Sequence, residues 1–103
     1  ELLEQVLINL VKNAVEAVEN KENGKVKVIS GLDSSNSPFI SVEDNGTGIV
    51  PEALDRIFIP FYTTKQTGSG IGLALSRQIM QLHQGSLTAE SKVNEYTKFT
   101  MNF

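Results

Sequence analysis

Apolar positions along the chain repeat with two different periods, and the change of period divides the chain into elements. From residue 3 to residue 18 they recur with helical spacing, which predicts an amphipathic helix with one face packed inward. Residues 25–32 and 39–43 instead alternate between apolar and polar, as half-buried strands do. The Asp33–Pro38 segment between them is rich in turn-forming residues. We therefore expect an antiparallel hairpin after the first helix.

The second half of the chain predicts two further helices. Pro51 can open a short helix over residues 51–58, because proline is tolerated in a first helical turn. A longer helix is predicted over residues 70–84, with Gly85 as its stop. Its apolar residues are expected to face inward: Ile71, Leu75, Ile79 and Leu82.

The chain closes with two predicted strands, residues 86–92 and 96–103. Helices and strands do not alternate along the sequence as they would in a doubly wound fold. That order favours an α+β two-layer sandwich, with the helices packed on one face of a sheet. Glu1 already lies inside the first helical pattern. We therefore expect residues 1–103 to be one domain excised from a longer protein.

Composition narrows the class of protein. The 103 residues suit a single domain with one modest core, and 40% of them are hydrophobic. The formal net charge is -3 and the 9 Lys and Arg residues are dispersed, so nucleic acid is not an expected partner. The absence of cysteine excludes disulfides and thiolate metal sites. No apolar run is long enough for membrane insertion and no signal-peptide pattern is present, so we expect a cytoplasmic domain, even within a membrane-anchored parent.

Asn9 and Asn13 stand four residues apart on the polar stripe of the first predicted helix. Residues at i and i+4 project from one face, and asparagine is a mediocre helix former that a purely solvated face does not require. Amide oxygens suit Mg²⁺, which prefers oxygen ligands and keeps several waters. The alternative is an ordinary solvated stripe.

A second polar segment, Asp44-Asn45-Gly46-Thr47-Gly48, follows directly after a predicted strand. Asp and Asn commonly start tight turns, so a turn alone would explain these residues. A binding site is the other interpretation. Glycines let a ligand approach the backbone closely, and a carboxylate can accept a hydrogen bond from an adenine amine.

A third segment, Gly68-Ser69-Gly70-Ile71-Gly72, leads into the longer helix of the second half. The dinucleotide pattern G-x-G-x-x-G fails because Leu73 stands at its last position, and no Gly-Lys-Ser/Thr of a Walker loop is present. The remaining interpretation is a glycine-rich connector that leads into a helix N-terminus. Such an N-terminus can bind phosphate, and Lys65 nearby could add a positive charge. A mobile surface loop is the alternative.

Taken in order, four segments closely resemble the boxes of the ATP-binding domain of sensor histidine kinases. They are residues 9–14 (N box), 43–49 (first glycine box), 58–65 (F box) and 68–73 (second glycine box). The resemblance extends to residues 82–85 and 97–99, and residues 13–17 resemble the nitrogen-regulatory branch of the family. The family lies in a superfamily that includes gyrase, the heat-shock ninety chaperone and mismatch-repair ATPases.

The resemblance implies a fold, two cofactors and a set of catalytic residues. By similarity, three helices would pack on one face of a mixed sheet, in a fragment that lacks the family's first strand and its histidine-bearing dimerisation domain. The cofactors would be ATP and Mg²⁺. Asn13 would ligate Mg²⁺, Asn9 would support the phosphates, and Lys65 would approach the γ-phosphate.

Residues at both ends of the nucleotide also match the family. Asp44 would accept the adenine amine, Gly46 and Gly48 would let the base lie against the backbone, and Thr97 would line the adenine pocket. The remaining cofactor-binding residues implied by the resemblance are Ile49, Thr64, Lys65, Gly68, Ser69, Gly70, Ile71, Gly72 and Leu73.

Residues 62–67 resemble the lid that closes over ATP in the family. By similarity, the second glycine box would be its hinge and would cradle the phosphates. Phe58 and Phe61 would pack at the base of the lid and take no part in the chemistry.

Position 9 also separates reactions within the superfamily. Hydrolytic relatives carry a glutamate there as a general base, whereas asparagine cannot take a proton at neutral pH. Asn9 therefore argues for phosphate transfer to an acceptor. By similarity to the family, that acceptor would be a histidine on a separate dimerisation domain, for relay to a response-regulator receiver domain. His83 matches a helix-end position of the family and not that acceptor. The isolated fragment is expected to be a monomer that does not autophosphorylate.

Two other functions stay open at this point. The same fold serves ATP hydrolases and serine/threonine kinases of the anti-sigma type, and Asn9 argues against both. The second alternative is a regulatory module that binds nucleotide without catalysis, or binds none. Such a module has no physical need for Asn13, Asp44 and the glycines together.

Overall fold

The computed structural model describes residues 2–59 and 72–103, which form a layer of helices on a four-stranded sheet. The α+β two-layer class predicted from the order of elements is confirmed. The helices are α1 (Leu2–Val18), α2 (Pro51–Leu54) and α3 (Gly72–Leu82), and the strands are β1 (Val26–Leu32), β2 (Pro38–Asp44), β3 (Ser86–Lys92) and β4 (Tyr96–Asn102).

The sheet has the strand order β1-β2-β4-β3, and each of its pairings is antiparallel. The expectation of a mixed sheet is therefore wrong for the strands that the structure describes. The reason lies in the last hairpin. After the crossover through α2 and α3, β3 runs in the same direction as β2, but β4 folds back from β3 and occupies the place between them.

The inner face of the sheet carries the core. Alternate residues of β2, β3 and β4 point to the helices, because side chains of a strand alternate between faces. α1 lies over β2 and β1, and α3 lies over β3 beside it. The fully buried side chains of this core are Val6, Leu10, Val42, Met80, Leu87 and Met101.

The outer face of the sheet is mostly polar and charged, with Ile29 and Phe39 as its apolar exceptions. One register row crosses all four strands as Lys27, Glu43, Lys98 and Glu90, so each charge has an opposite charge beside it. The Tyr96 hydroxyl donates to Glu90 Oε2 at 2.8 Å, and this hydrogen bond raises the pKa of Tyr96 above its ordinary value. This row of charged side chains explains why the helices pack on the other face of the sheet only.

β1 is an edge strand and is more exposed than its alternating pattern predicts. Val28 lies on the inner face but is 54% exposed, and Leu32 is 63% exposed. On the neighbouring flank of α1, Ile8 and Val15 are also exposed. Among the described helices, none has both the length and the apolar character that crossing a membrane requires.

α2 is shorter than the predicted helix over residues 51–58. Pro51 occupies its first turn as expected, but the α-helix ends at Leu54, with Asp55 at its C-cap. Beyond it the backbone closes tighter turns, in which Arg56 N–H donates to Ala53 O and Ile59 N–H donates to Arg56 O. These i to i+3 bonds replace the i to i+4 bonds of an α-helix.

α3 buries a different face from the predicted one. Leu75 and Leu82 are 50% and 75% exposed, whereas Ser76, Ile79 and Met80 are buried. Only Ile79 of the predicted stripe is confirmed in the core, and Ile71 lies outside the described residues. The helix is turned so that Met80 reaches the sheet and Ser76 faces α1, which a simple apolar stripe does not reveal.

Met80→Ala tests this orientation of α3. The Met80 side chain is 0% exposed, so its removal should lower the free energy of unfolding by about 2–5 kcal/mol. Leu82→Ala, in the same helix but exposed, is the control and should change it by no more than about 0.5 kcal/mol. Urea unfolding of both variants measures the difference, and equal losses would contradict the observed orientation.

Candidate functional site

A row of polar side chains ends the otherwise apolar inner face of the sheet. In the register of the strands, Asp44 on β2 lies opposite Thr97 on β4, which lies opposite Ser91 on β3. Asp44 and Thr97 are each only 5% exposed. The next row toward the core contains Val42 and Phe99. The polar row therefore borders the apolar core directly.

Asp44 starts a turn and is also buried at the site. Its Oδ1 accepts a hydrogen bond from Gly46 N–H at 2.8 Å, which is the side-chain contact of an Asx-turn. Asn45 points elsewhere, because its Oδ1 accepts from Lys25 N–H at 2.7 Å and its Nδ2 donates to Asn23 O. The turn interpretation is therefore correct, and it also orients a buried carboxylate.

The β3–β4 hairpin holds the glycine turn against the sheet. Asn94 N–H donates to Thr47 O at 2.6 Å. Gly48 has a positive φ of 78°, and a Cβ there would lie 2.5 Å from Lys92 O. No larger residue fits this position without moving the backbone. The glycines of the turn thus allow the hairpin to approach closely, in addition to any contact with a ligand.

Ser91 is a site residue that the sequence analysis missed. Its Oγ lies 2.8 Å from Ile49 N, 2.8 Å from Tyr96 O and 2.9 Å from Thr97 Oγ1. It therefore joins the glycine turn to two strands. The available signal was the alternation of β3, which places a polar residue at an inner-face position after Leu87 and Ala89.

A second contact forms where α1 passes the start of α3. Asn9 Nδ2 donates to Ser76 Oγ at 3.0 Å, and a Cβ at Gly72 would lie 2.9 Å from both amide atoms of Asn9. Gly72 thus leaves space for the Asn9 amide to lie against the first turn of α3. Sequence reasoning missed Ser76, although its position one helical turn after Gly72 was the signal.

α1 connects these two parts of the site. Asn9, Asn13 and Ala17 follow one another at four-residue steps along one side of the helix. Asn9 meets Gly72, and a Cβ at Gly46 would lie 2.7 Å from Ala17 O. Eight residues of helix separate these contacts, a rise of about 12 Å. Half-buried Asn13 lies between them.

The donors at this side of α1 fit magnesium better than a transition metal. Within residues 2–59 and 72–103, no three His, Cys, Asp or Glu side chains gather where they could hold a metal ion. The Asn13 amide offers a neutral oxygen, which suits Mg²⁺ when phosphate oxygens and water complete the shell. The residues present therefore fit Mg²⁺ bound together with a phosphorylated ligand.

An open depression of about 380 Å³ adjoins the glycine turn. It lies between the end of α1 and the turn, and Glu16, Lys21, Gly46 and Thr47 are among its lining residues. It shares only Gly46 with the predicted site. Neither the polar row nor the two asparagines line it.

Several predicted site residues lie outside the described residues. They are Thr64, Lys65, Gly68, Ser69, Gly70 and Ile71, together with Phe61 at the predicted lid base. Leu73 is described and packs against the core, as Ile49 does. Phe58 packs edge-on against Phe99, with ring centroids 6.4 Å apart, and the Arg77 guanidinium lies 4.5 Å from its centroid.

This fold and these residues define an ATP-binding domain of one particular class. The chain belongs to the family of histidine kinase-, DNA gyrase B- and HSP90-like ATPases, whose model matches residues 1–103. It is 43% identical over 101 residues to the signal transduction histidine-protein kinase AtoS of Escherichia coli K12. It is 40% identical over 100 residues to sporulation kinase D of Bacillus subtilis 168.

The alignments cover 98% and 96% of this chain but only 16% and 19% of those two kinases. Solved structures agree on the fold. Full-length ShkA in complex with AMPPNP superposes over 98% of this chain and 21% of its own, with a TM-score of 0.83 at 28% identity. The nucleotide-free catalytic domain of histidine kinase ThkA gives 0.77 at 39% identity, over 98% of this chain and 66% of its own. The predicted resemblance of this chain to the ATP-binding domain of histidine kinases is confirmed.

Gly48→Ala tests the contact between the glycine turn and the hairpin. The left-handed conformation alone costs an L-residue about 1–2 kcal/mol, and the approach to Lys92 O adds to it, so the free energy of unfolding should fall by more than that. Gly31→Ala is the control, because a Cβ there meets Phe39 at an ordinary 3.4 Å. Thermal unfolding compares the two, and equal stability would contradict the contact.

Proposed function

We propose that this chain binds Mg·ATP and, in the full-length protein, presents the γ-phosphate to a histidine on a separate dimerisation domain. The phosphate would then pass to a response-regulator receiver domain. The observation that carries the proposal is the course of α1, which contacts Gly46 at one end and Gly72 at the other with Asn13 between them. Eight residues of α1, a rise of about 12 Å, separate these two glycine contacts.

The base would bind at the polar row. Buried Asp44 and Thr97 offer hydrogen-bonding groups at the border of the apolar core. Ile49 is half-buried at the end of the glycine turn and can cover one face of a flat ring. An adenine amine suits the Asp44 carboxylate, which accepts and does not donate when ionised.

The phosphates would bind toward the start of α3. This helix has 11 residues and begins at Gly72, and unpaired amides and the helix dipole favour anions at such an N-terminus. The Asn9 side chain meets this start of α3, and Asn13 follows one turn later on the same side of α1. Asn13 would hold Mg²⁺, which when bound neutralises phosphate charge. Lys65, predicted to approach the γ-phosphate, remains a proposal because it lies outside the described residues.

Transfer is favoured over hydrolysis by the chemistry of position 9. The Asn9 Nδ2 donates to Ser76 Oγ, and a neutral amide has no basic site for a water proton. Catalysis would then depend on positioning and on charge stabilisation, as is usual in phosphoryl transfer. This argues against an ATP hydrolase of the same fold.

The acceptor histidine would lie elsewhere in the full-length protein. His83 is the single histidine of the chain, and its Nδ1 lies 2.9 Å from Ile79 O at the end of α3. That place agrees with the helix-end role predicted for it. The similarity to histidine kinases supports phosphate transfer to such an acceptor, which would be followed by transfer to a receiver domain.

Asp44→Asn tests the base end of the site in the full-length protein. An amide can turn a donor toward the adenine amine, so loss of this charge-assisted hydrogen bond should weaken ATP binding by about tenfold to a hundredfold. Glu43→Gln is the matched control, because it removes a neighbouring carboxylate from the opposite face of β2. Equilibrium titration with a non-hydrolysable ATP analogue measures both.

Equal affinity of Asp44→Asn and Glu43→Gln would contradict the proposed base site. Failure of the folded wild-type protein to bind the analogue at all would instead favour a regulatory module without nucleotide.

Asn13→Ala tests the metal end. The variant should retain most of its affinity for metal-free nucleotide but lose most of the gain that Mg²⁺ gives, because one ligand of the shell is removed. Autophosphorylation should fall in parallel. Lys12→Ala, on the exposed side of the same helix, is the control. An unchanged Mg²⁺ dependence in Asn13→Ala would exclude Asn13 as the ligand.

A further inference from the structure

We propose that Ser91 is a positioning residue that makes Thr97 a hydrogen-bond acceptor and thereby helps the site choose a 6-amino purine over a 6-oxo purine. The inference rests on the proposed ATP site and adds a determinant of its base specificity. Ser91 lies at the edge of the site, and its hydroxyl forms hydrogen bonds with Ile49, Tyr96 and Thr97.

The single proton of the Ser91 hydroxyl determines which atom donates in each of its hydrogen bonds. A serine hydroxyl has one proton and two lone pairs. The Tyr96 carbonyl can only accept, so it takes the Ser91 proton at 2.8 Å. The Ile49 N–H can only donate, so it uses one lone pair of Ser91 Oγ, also at 2.8 Å. One lone pair of Ser91 then remains for Thr97 Oγ1 at 2.9 Å.

The Thr97 proton is therefore directed to Ser91. A threonine hydroxyl also has only one proton, so the remaining capacity of Thr97 Oγ1 is for accepting hydrogen bonds. Thr97 is buried and lies opposite Asp44 in the register of β2 and β4. The base end of the site thus presents a carboxylate and a hydroxyl oxygen that both act as acceptors.

Two neighbouring acceptors discriminate between purines. The 6-amino group of adenine carries two protons and can donate one to each of these acceptors. A 6-oxo purine places a carbonyl oxygen at the same point, where it meets lone pairs and finds no proton. Leaving buried polar groups unpaired in this way is the effective basis of selectivity between close analogues.

Ser91 also holds the backbone around the base. Its bond to Ile49 N–H fixes the end of the glycine turn, next to the ring-covering position of Ile49. Removal of the hydroxyl would free the Thr97 proton to rotate toward Asp44 and would release the turn. The first effect changes the choice of base, and the second changes affinity for every nucleotide.

The experiment measures dissociation constants of ATP and inosine triphosphate for the full-length protein and its variants under non-turnover conditions. Ser91→Ala should lower the preference for ATP by about threefold to tenfold, the effect of one neutral hydrogen bond. Ser91→Thr, which keeps the hydroxyl, should restore the preference. Ser41→Ala is the control, since it deletes a hydroxyl that pairs with Thr100 on the outer face at 2.9 Å.

A double-mutant cycle tests whether Ser91 acts through Thr97. Thr97→Val should lower the same preference, and adding Ser91→Ala to it should have little further effect on the ratio. Additive effects on the ratio would overturn the proposal. An equal loss of affinity for both nucleotides in Ser91→Ala would also overturn it, since that result describes a structural role alone.

The outcomes separate this proposal from the function on which it rests. Wild-type protein that binds ATP while Ser91→Ala keeps its base preference overturns the role of Ser91 and leaves the ATP site intact. Wild-type protein that is folded and binds neither nucleotide overturns the proposed function itself. If Ser91→Ala does not fold, Ser91→Cys replaces it, because a thiol is nearly isosteric and hydrogen-bonds weakly.

Discussion

Burial of one stripe of α1 against the sheet fixes where the polar groups of the site lie. Val6, Leu10 and Ala14 pack inward, and a helix of 3.6 residues per turn leaves no freedom in where its other side chains point. Asn9 then meets Ser76 and Gly72 of α3, and Asn13 follows one turn later on the same side of α1. A rotation of α1 that moved either asparagine by one position would also move the apolar stripe out of the core. Core packing and ligand geometry therefore constrain the same helix.

The other half of the site depends on the last hairpin. β4 lies at the centre of the sheet and brings Thr97 beside Asp44, while the turn that precedes it reaches Thr47 and Gly48. A glycine turn of this kind is often regarded as adaptable. Here it is bonded at both ends, to Asp44 Oδ1 and to Ser91 Oγ, so its backbone is organised by protein contacts in the described structure.

Sequence patterns predicted the elements better than their contacts. Period and turn chemistry located the helices and strands because these signals are local. The face of α3 could not be predicted, since its apolar residues lie all around a short helix and Ser76 is buried by a contact with Asn9, 67 residues away in the chain. The alternation of β3 could have placed Ser91 on the inner face, but its contact with Ile49 joins residues 42 positions apart and could not be predicted from local pattern. The mixed sheet came from the resemblance and not from the residues, and the described pairings are antiparallel.

The hydrogen bond between Asn94 N–H and Thr47 O gives the turn between β3 and β4 a thermodynamic connection to the glycine turn. Coupling free energy is reciprocal, so where a ligand that orders the glycine turn also orders the hairpin, a partner that stabilises the same hairpin conformation raises affinity for that ligand by the same factor. A partner that contacts only the exposed turn between β3 and β4 can in this way sense whether the site is occupied without touching the nucleotide.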